Sequence, residues 1–425
     1  MLVIEKISQI SGTISVPGDK SISHRAVMLA AISKGKTTIE GFLDGQDCLS
    51  TVSCFRAMGV QIEQQGQRVE VEGRGLAGLQ EPQDILDAGN SGTTMRLLSG
   101  ILAGQNFFSV LTGDQSLRQR PMARVTEPLK LMGAVIDGRQ SGQLAPLGIR
   151  GGGLQGITWE TPVASAQIKS AILLAGLYAS GQTTVQEPAI SRDHTERMLA
   201  GFGIQVERQG TAVTVRPGIL EGQHILVPGD ISSAAFFMVA AAAKPGSHLI
   251  IKNVGLNPTR TGIIDVLRQM GADIEIENLR SFGGEEAGDM IIRGASLTGT
   301  EINSEIVPRL IDEIPVLAVA AALADGVTYI RGAGELKVKE SNRLAAIASE
   351  LRKLGVQITE LSDGLEIHGP NQIRGAAVNS YHDHRIAMAL AVCGLFAEGK
   401  TTIADSGCID ISFPGFGELL LQIAR

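Results

Sequence analysis

Hydrophobic and polar positions follow one order that recurs along the chain. A polar cluster leads into an Ala- and Leu-rich run with helical spacing, and a glycine closes it. A Thr/Val/Ile run, a second helical stretch, a second glycine and residues alternating in period two come next. Val27-Met28-Leu29-Ala30-Ala31 exemplifies the first run and Ala272-Asp273-Ile274-Glu275-Ile276-Glu277 the alternation. The glycines after the first helices are Gly35, Gly104, Gly181, Gly246, Gly326 and Gly399, 65 to 80 residues apart. Those after the second are Gly59, Gly133, Gly203, Gly271 and Gly355, and the sixth unit ends at Arg425. The pattern predicts an α/β protein of six β-α-β-α-β-β repeats, with glycine supplying the left-handed caps that let the chain turn back.

The tetrapeptide Val-Pro-Gly-Asp opens the first unit at Val16–Asp19 and the fourth at Val227–Asp230. It divides the repeats into two lobes of three, residues 18–227 and residues 1–17 plus 228–425, with a two-strand hinge at Pro17-Gly18 and Pro228-Gly229. If the first helices of each lobe run parallel, their N-termini converge on one face of that lobe. Two such faces folded together predict a cleft.

Composition narrows what such a cleft could hold. Aromatic residues are only 4% of the 425, against 44% hydrophobic, so the cores must be built from Ala, Leu, Ile and Val. The net charge of −7 argues against a general nucleic-acid or anionic-membrane binder, so any anion must be drawn by local clusters. Cys48, Cys54, Cys393 and Cys408 show no metal-ligand spacing and read as reduced core thiols. The opening Met1-Leu2-Val3-Ile4-Glu5-Lys6 has an early acid and no apolar stretch long enough for a signal peptide, and the longest apolar runs fall short of the ~20 residues of a membrane span. The expectation is a cytoplasmic protein.

Candidate chemistry collects at the helix starts. The first helices open on Lys20, Ser21 and Arg25; on Asn90-Ser91-Gly92-Thr93 with Arg96; on Ser165-Ala166-Gln167 with Lys169; on Asp230, Ser232 and Ser233; on Asp312 and Glu313; and on His382-Asp383-His384-Arg385. Cations at a helix N-terminus oppose its dipole unless an anion compensates, so Lys20, Arg25, Arg96, Lys169 and Arg385 point to an anionic ligand. Further basic clusters precede second helices: Arg118, Arg120 and Arg124; Arg192; and Lys337, Lys339 and Arg343. Asp312 and Glu340 stand among these cations; a carboxylate beside arginine stays ionised, which suits a general base, whereas one that donates a proton needs burial or another carboxylate nearby, and the sequence leaves both roles open to both residues. Gly151-Gly152-Gly153 lacks the Gly-Lys-Ser/Thr ending of a phosphate loop and reads as a turn. His382-x-His384 has no evident third metal ligand.

These residues resemble one family over the whole chain: 3-phosphoshikimate 1-carboxyvinyltransferase, also called 5-enolpyruvylshikimate-3-phosphate synthase. The motifs are Asp19-Lys20-Ser21-x-Ser23-His24-Arg25, Gly89-Asn90-Ser91-Gly92-Thr93-Thr94-Met95-Arg96, Arg120-Pro121-Met122, Lys339-Glu340-Ser341-x-Arg343 and Asp383-His384-Arg385. The resemblance implies the two-lobed enolpyruvyl transferase fold, an inverse α/β barrel with three repeats per lobe. It implies transfer of the enolpyruvyl group of phosphoenolpyruvate to the 5-hydroxyl of shikimate 3-phosphate with release of phosphate and with no metal or organic cofactor; a monomer without nucleic-acid or membrane partners is expected.

Carried over by the resemblance, Lys20, Ser21, Arg25, Ser165, Ala166, Gln167, Arg192, Asp312 and Lys339 would hold shikimate 3-phosphate. Lys20, Gly92, Arg120, Gln167, Arg343 and Arg385 would hold phosphoenolpyruvate. Asp312 would take the hydroxyl proton, with Glu340 and Lys20 as candidates for delivering a proton to the methylene carbon. Part of the family has a lysine where this chain has Ile411, two residues before Phe413-Pro414; with Ser165-Ala166-Gln167 and Arg192 this places the chain in the branch often tolerant of glyphosate. The alanine that accompanies tolerance is absent, because position 92 is Gly. The nearest rival is UDP-N-acetylglucosamine enolpyruvyl transferase, whose mobile loop usually carries a reactive cysteine; Ser116–Val125 has none. A ring-shaped DNA clamp would want a positive balance that this chain lacks.

Overall fold

The computed structural model describes residues 1–424; Arg425, where the sixth repeat ends, lies outside the described residues. Each repeat contributes two helices: α1 (Lys20–Ile32) and α2 (Gln46–Ala57), α3 (Gly92–Ala103) and α4 (Ala123–Leu131), α5 (Ala166–Gly176) and α6 (His194–Gly201), α7 (Ile231–Ala242) and α8 (Gly262–Gln269), α9 (Ile314–Leu323) and α10 (Arg343–Lys353), α11 (His384–Gly394) and α12 (Phe416–Ile423). A four-residue helical turn at Arg139–Gly142 stands outside this scheme.

The second repeat shows the plan in full. Strand Leu86–Asp87 runs parallel to Phe108–Thr112 across α3, and Leu144–Arg150 pairs antiparallel with both Phe108–Thr112 and Val135–Gly138. Five four-stranded sheets and one three-stranded sheet result. The exception is the last repeat. Ala377–Asn379 pairs parallel with Thr401–Ala404 across α11, but the N-terminal strand Leu2–Ile4 takes the other side in place of a hairpin.

Repeats one and four take their first strands from a distance. Ser11–Ser15, just ahead of α1, runs parallel to His248–Gly255 of the fourth repeat, whereas His224–Leu226, just ahead of α7, runs parallel to Lys34–Glu40 of the first. Residues 1–17, 228–280 and 286–425 accordingly form one compact unit, and residues 18–227 with 281–285 form the other. Each has its own hydrophobic core.

The first helices are the buried ones. Every residue of α7 and every residue of α1 from Ile22 onward is buried, so these helices are enclosed on all sides, with their polar residues confined to the first turns. Small residues let them pack closely: a Cβ on Gly100 of α3 would lie 2.1 Å from the Ala171 carbonyl oxygen of α5. The glycines after the helices adopt positive φ as the turn-back reading requires, with one exception. Gly104 has φ −84°, and it is glycine because a Cβ there would lie 2.2 Å from the Tyr178 ring. Among the described residues no helix is long and apolar enough to cross a membrane, and all four cysteines are buried and unbridged. Burial pushes the Cys54 and Cys393 thiols up to about 12, which leaves them poor nucleophiles.

Candidate active site

In the unit of residues 18–227 the starts of five helices supply one set of polar groups. Asp19 caps α1 by accepting from the Ile22 amide at 2.9 Å. Lys20 follows, and its Nζ donates to Asp47 Oδ2 in the first turn of α2 at 2.5 Å. One turn on, the buried Arg25 donates from Nη1 to the Ser21 carbonyl (2.9 Å), from Nη2 to Ser170 Oγ (2.9 Å) and from Nε to Thr195 Oγ1 (2.6 Å). Burial pulls its guanidinium down to about 10, with Glu196, Asp19 and Glu285 supporting the charge and Arg192 opposing it. Even so, it is protonated at neutral pH.

The rest of the Asp19–Arg25 motif is structural. Ser23 Oγ accepts from the Leu43 amide at 3.0 Å. His24 is fully buried with Nδ1 2.7 Å from Thr51 Oγ1, which is itself 2.7 Å from Thr94 Oγ1, so it ties α1 to α2 and α3. Burial lowers it to about 3, and it is a neutral link at physiological pH.

At the start of α3, Ser91 caps the helix and Gly92 is flanked by two guanidinium groups. A Cβ at Gly92 would lie 2.7 Å from Arg96 Nη1 and 3.4 Å from Arg120 Nη1. Arg96 Nη1 donates to Gln167 Oε1 at 2.9 Å and Gln167 Nε2 to Thr93 Oγ1 at 3.1 Å, joining the starts of α3 and α5. Arg120 is aimed by Asn90, whose Oδ1 accepts from Nη2 at 2.7 Å. Bare backbone at a helix N-terminus between two arginines has the chemistry to accept a phosphate or carboxylate. Ser165 sits at the N-cap position of α5 without making a capping bond, and Ala166 is the first helical residue. Arg192 is half-buried just ahead of α6.

Lys169 departs from the anion-binding expectation. It is fully buried, and its Nζ lies 2.7 Å from both Glu187 Oε2 and Glu196 Oε1, so two internal carboxylates use its charge.

In the other unit the centre is Arg343, the first residue of α10 and almost wholly buried. Its Nε donates to Asp383 Oδ2 (2.8 Å), its Nη1 to Asp312 Oδ1 (3.2 Å) and its Nη2 to Glu340 Oε2 (2.5 Å). Burial alone would lower Arg343, but Asp383, Glu340 and Asp312 outweigh it and hold the guanidinium above its ordinary range. Asp383 is the converse: burial pushes it up, and Arg343 more than reverses this. Asp383 also caps α11, accepting from the Arg385 amide at 2.9 Å. Arg385 Nε lies 3.7 Å from Asp312 Oδ1, and its Nη1 donates to the Asp312 carbonyl at 3.3 Å. The Asp312 carboxylate thus lies between two guanidinium groups, which favours its charged form. Lys339 is half-buried, one residue before Glu340.

The start of α7 is filled from within the protein. Arg260, buried at 2% exposure, donates to Asp230 Oδ1 (3.1 Å) and Ser232 Oγ (2.7 Å), and Ser232 bonds in turn to Glu313. Arg260 lies at or just ahead of the start of a second helix, as Arg192 and Arg343 do, and so carries the same signal in the sequence although it is not among the expected site residues. Asp47, which holds Lys20, had no such signal. Among the described residues no group of three or more His, Cys, Asp or Glu side chains is placed to hold a metal ion.

Comparison with known proteins agrees over the whole chain. The profile of the family EPSP synthase (3-phosphoshikimate 1-carboxyvinyltransferase) matches residues 4–420. The 3-phosphoshikimate 1-carboxyvinyltransferases of Alkaliphilus metalliredigens and Brevibacillus brevis are 61% and 57% identical to this chain, each over 100% of both chains. The EPSP synthase of Acinetobacter baumannii superposes with a TM-score of 0.90 at 46% identity, covering 99% of this chain and 97% of its own. The enolpyruvyl transferase NikO of Streptomyces tendae superposes at 0.80 with 19% identity over 100% of this chain and 97% of its own, a likeness of fold alone.

Proposed function

The chain belongs to the EPSP synthase family, and from that premise we propose how its residues divide the work of the family's reaction. The protein is a transferase that moves the enolpyruvyl group of phosphoenolpyruvate to the 5-hydroxyl of shikimate 3-phosphate and releases phosphate. The observation that carries this is full-length identity of 57–61% to relatives that share that one name. It favours this reading over a UDP-N-acetylglucosamine enolpyruvyl transferase or a DNA clamp.

In the unit of residues 18–227, Ser21, Arg25, Ser165, Ala166, Gln167 and Arg192 hold shikimate 3-phosphate, and Gly92 and Arg120 hold phosphoenolpyruvate, with Lys20 and Gln167 serving both. The two hydroxyls that hold Arg25, those of Thr195 and Ser170, and the two arginines beside Gly92 support this assignment. In the other unit, Asp312 and Lys339 bind shikimate 3-phosphate, and Arg343 and Arg385 bind phosphoenolpyruvate.

Asp312 is the base that takes the 5-hydroxyl proton; two guanidinium groups favour the charged form a base needs. For delivery to the methylene carbon the two candidates differ. Lys20 already carries its proton, within an ion pair to Asp47. Glu340 is bonded to Arg343 through Oε2, and as a carboxylate it must first take up a proton, which its other oxygen can carry. We read the protein as a cytoplasmic monomer, a location supported by its unbridged cysteines.

The test is phosphate release from phosphoenolpyruvate in the presence of shikimate 3-phosphate or of UDP-N-acetylglucosamine. Release with the first alone is expected; release only with the second, or with neither, overturns the reading.

A further inference from the structure

The start of α6 is held by residues that come from far along the chain. Asp193, at the N-cap position, makes no capping bond; its carboxylate accepts from Arg197 Nε at 2.9 Å and lies 3.5 Å from Arg208 Nη1. His194, the first helical residue, is buried, and its Nδ1 lies 2.7 Å from Oε1 of the equally buried Glu285. Arg197 Nη1 donates to the Gly284 carbonyl at 2.6 Å. Gly284 and Glu285 belong to the turn between strands Asp273–Phe282 and Glu285–Arg293. The tip, Ser281–Glu285, groups with residues 18–227, whereas the flanking residues up to Arg280 and from Glu286 do not. Gly283 and Gly284 both take positive φ, 59° and 84°, the sharp turn that presents Glu285.

What this contact steadies is the environment of Arg25. Thr195, next to His194, accepts from Arg25 Nε at 2.6 Å, and its Oγ1 lies 2.6 Å from the Ser170 hydroxyl that accepts from Arg25 Nη2. Glu285 is also among the carboxylates that support the Arg25 charge. We infer that Glu285 is a positioning residue for shikimate 3-phosphate: it fixes His194 and, through the first turn of α6, the Thr195 hydroxyl that aims Arg25. The inference rests on the role proposed above for Arg25.

The experiment measures KM for each substrate, with kcat, in the full chain. Glu285→Ala raises KM for shikimate 3-phosphate about tenfold while KM for phosphoenolpyruvate and kcat stay within about twofold. Glu285→Gln keeps the shape and an acceptor oxygen but loses the charge, and raises the same KM about threefold. This variant carries the test if Glu285→Ala does not fold. His194→Ala matches Glu285→Ala, and the double variant is no worse than either single one, because both act through one contact. Equal shifts in both KM values, a fall in kcat alone, additive effects, or no change overturns the inference. Arg25→Ala separates the two levels. If it leaves KM for shikimate 3-phosphate unchanged, the premise falls and the inference with it. If that KM rises and the Glu285 variants change nothing, only the inference falls.

Discussion

Single side chains here are set by which counter-charge reaches them. Lys169 and Lys20 occupy comparable helix starts, yet Lys169 is closed off by Glu187 and Glu196 while Lys20 is about one-fifth exposed beside Asp47. Removing the buried charge with Lys169→Met leaves two carboxylates facing each other and should cost about 3–5 kcal/mol in urea unfolding. Asp312→Ala should lower kcat about 100-fold or more with an unchanged circular dichroism spectrum, and a near-wild-type rate removes it from the role of base. Asp383 gives a pH prediction. Its carboxyl is held below the ordinary aspartate range, chiefly by Arg343 acting against burial, so it binds a proton less readily folded than unfolded. Its stabilising contribution is therefore fully present above about pH 4 and is lost as pH falls through the lower folded value. Asp383→Asn should lose stability at pH 7 and show a shallower fall between pH 4 and pH 2, measured by urea midpoints. At Gly92 the added methyl of Gly92→Ala meets Arg96 Nη1 at 2.7 Å. Glyphosate inhibition should weaken more than phosphoenolpyruvate binding, as the methyl penalises the longer ligand; equal losses in Ki and KM refute this.

The elements repeat, but identical positions are glycine for different reasons. Gly181 has φ +87° with open space around it, so its need is conformational, whereas Gly104 has ordinary φ and faces the Tyr178 ring. Gly181→Ala should cost roughly 1–2 kcal/mol, the strain of a left-handed residue. Gly104→Ala should cost about 1–3 kcal/mol by overpacking, unless Tyr178 moves. Urea midpoints at unchanged m distinguish these from a change in the unfolded state. The spacing of these glycines was legible from the sequence because a helix end needs a stop whatever lies around it. The Tyr178 contact was not, because it joins positions 74 residues apart that no local pattern relates. The same holds for His194 and Glu285.

At the scale of the molecule the two crossings near residues 17 and 228 carry the architecture. The unit of residues 18–227 contains every strand of its three sheets, including His224–Leu226, whereas the other borrows Leu2–Ile4 and Ser11–Ser15 from the N-terminus. A fragment 18–227 should therefore unfold cooperatively in urea. A fragment 228–425 should not, unless residues 1–17 are supplied; cooperative folding of 228–425 alone contradicts this. Sequence by itself determined the six-fold periodicity, the Ala- and Leu-built cores and the gathering of Lys, Arg and Asp at helix starts. These follow from local propensity and from burial patterns that recur in register. Only tertiary structure decided which strand completes which sheet, that Lys169 and Arg260 spend their charge on internal carboxylates, and that Asp312 lies between Arg343 and Arg385. Pairing of strands and charges depends on distances between residues far apart in the chain, and only folding sets those.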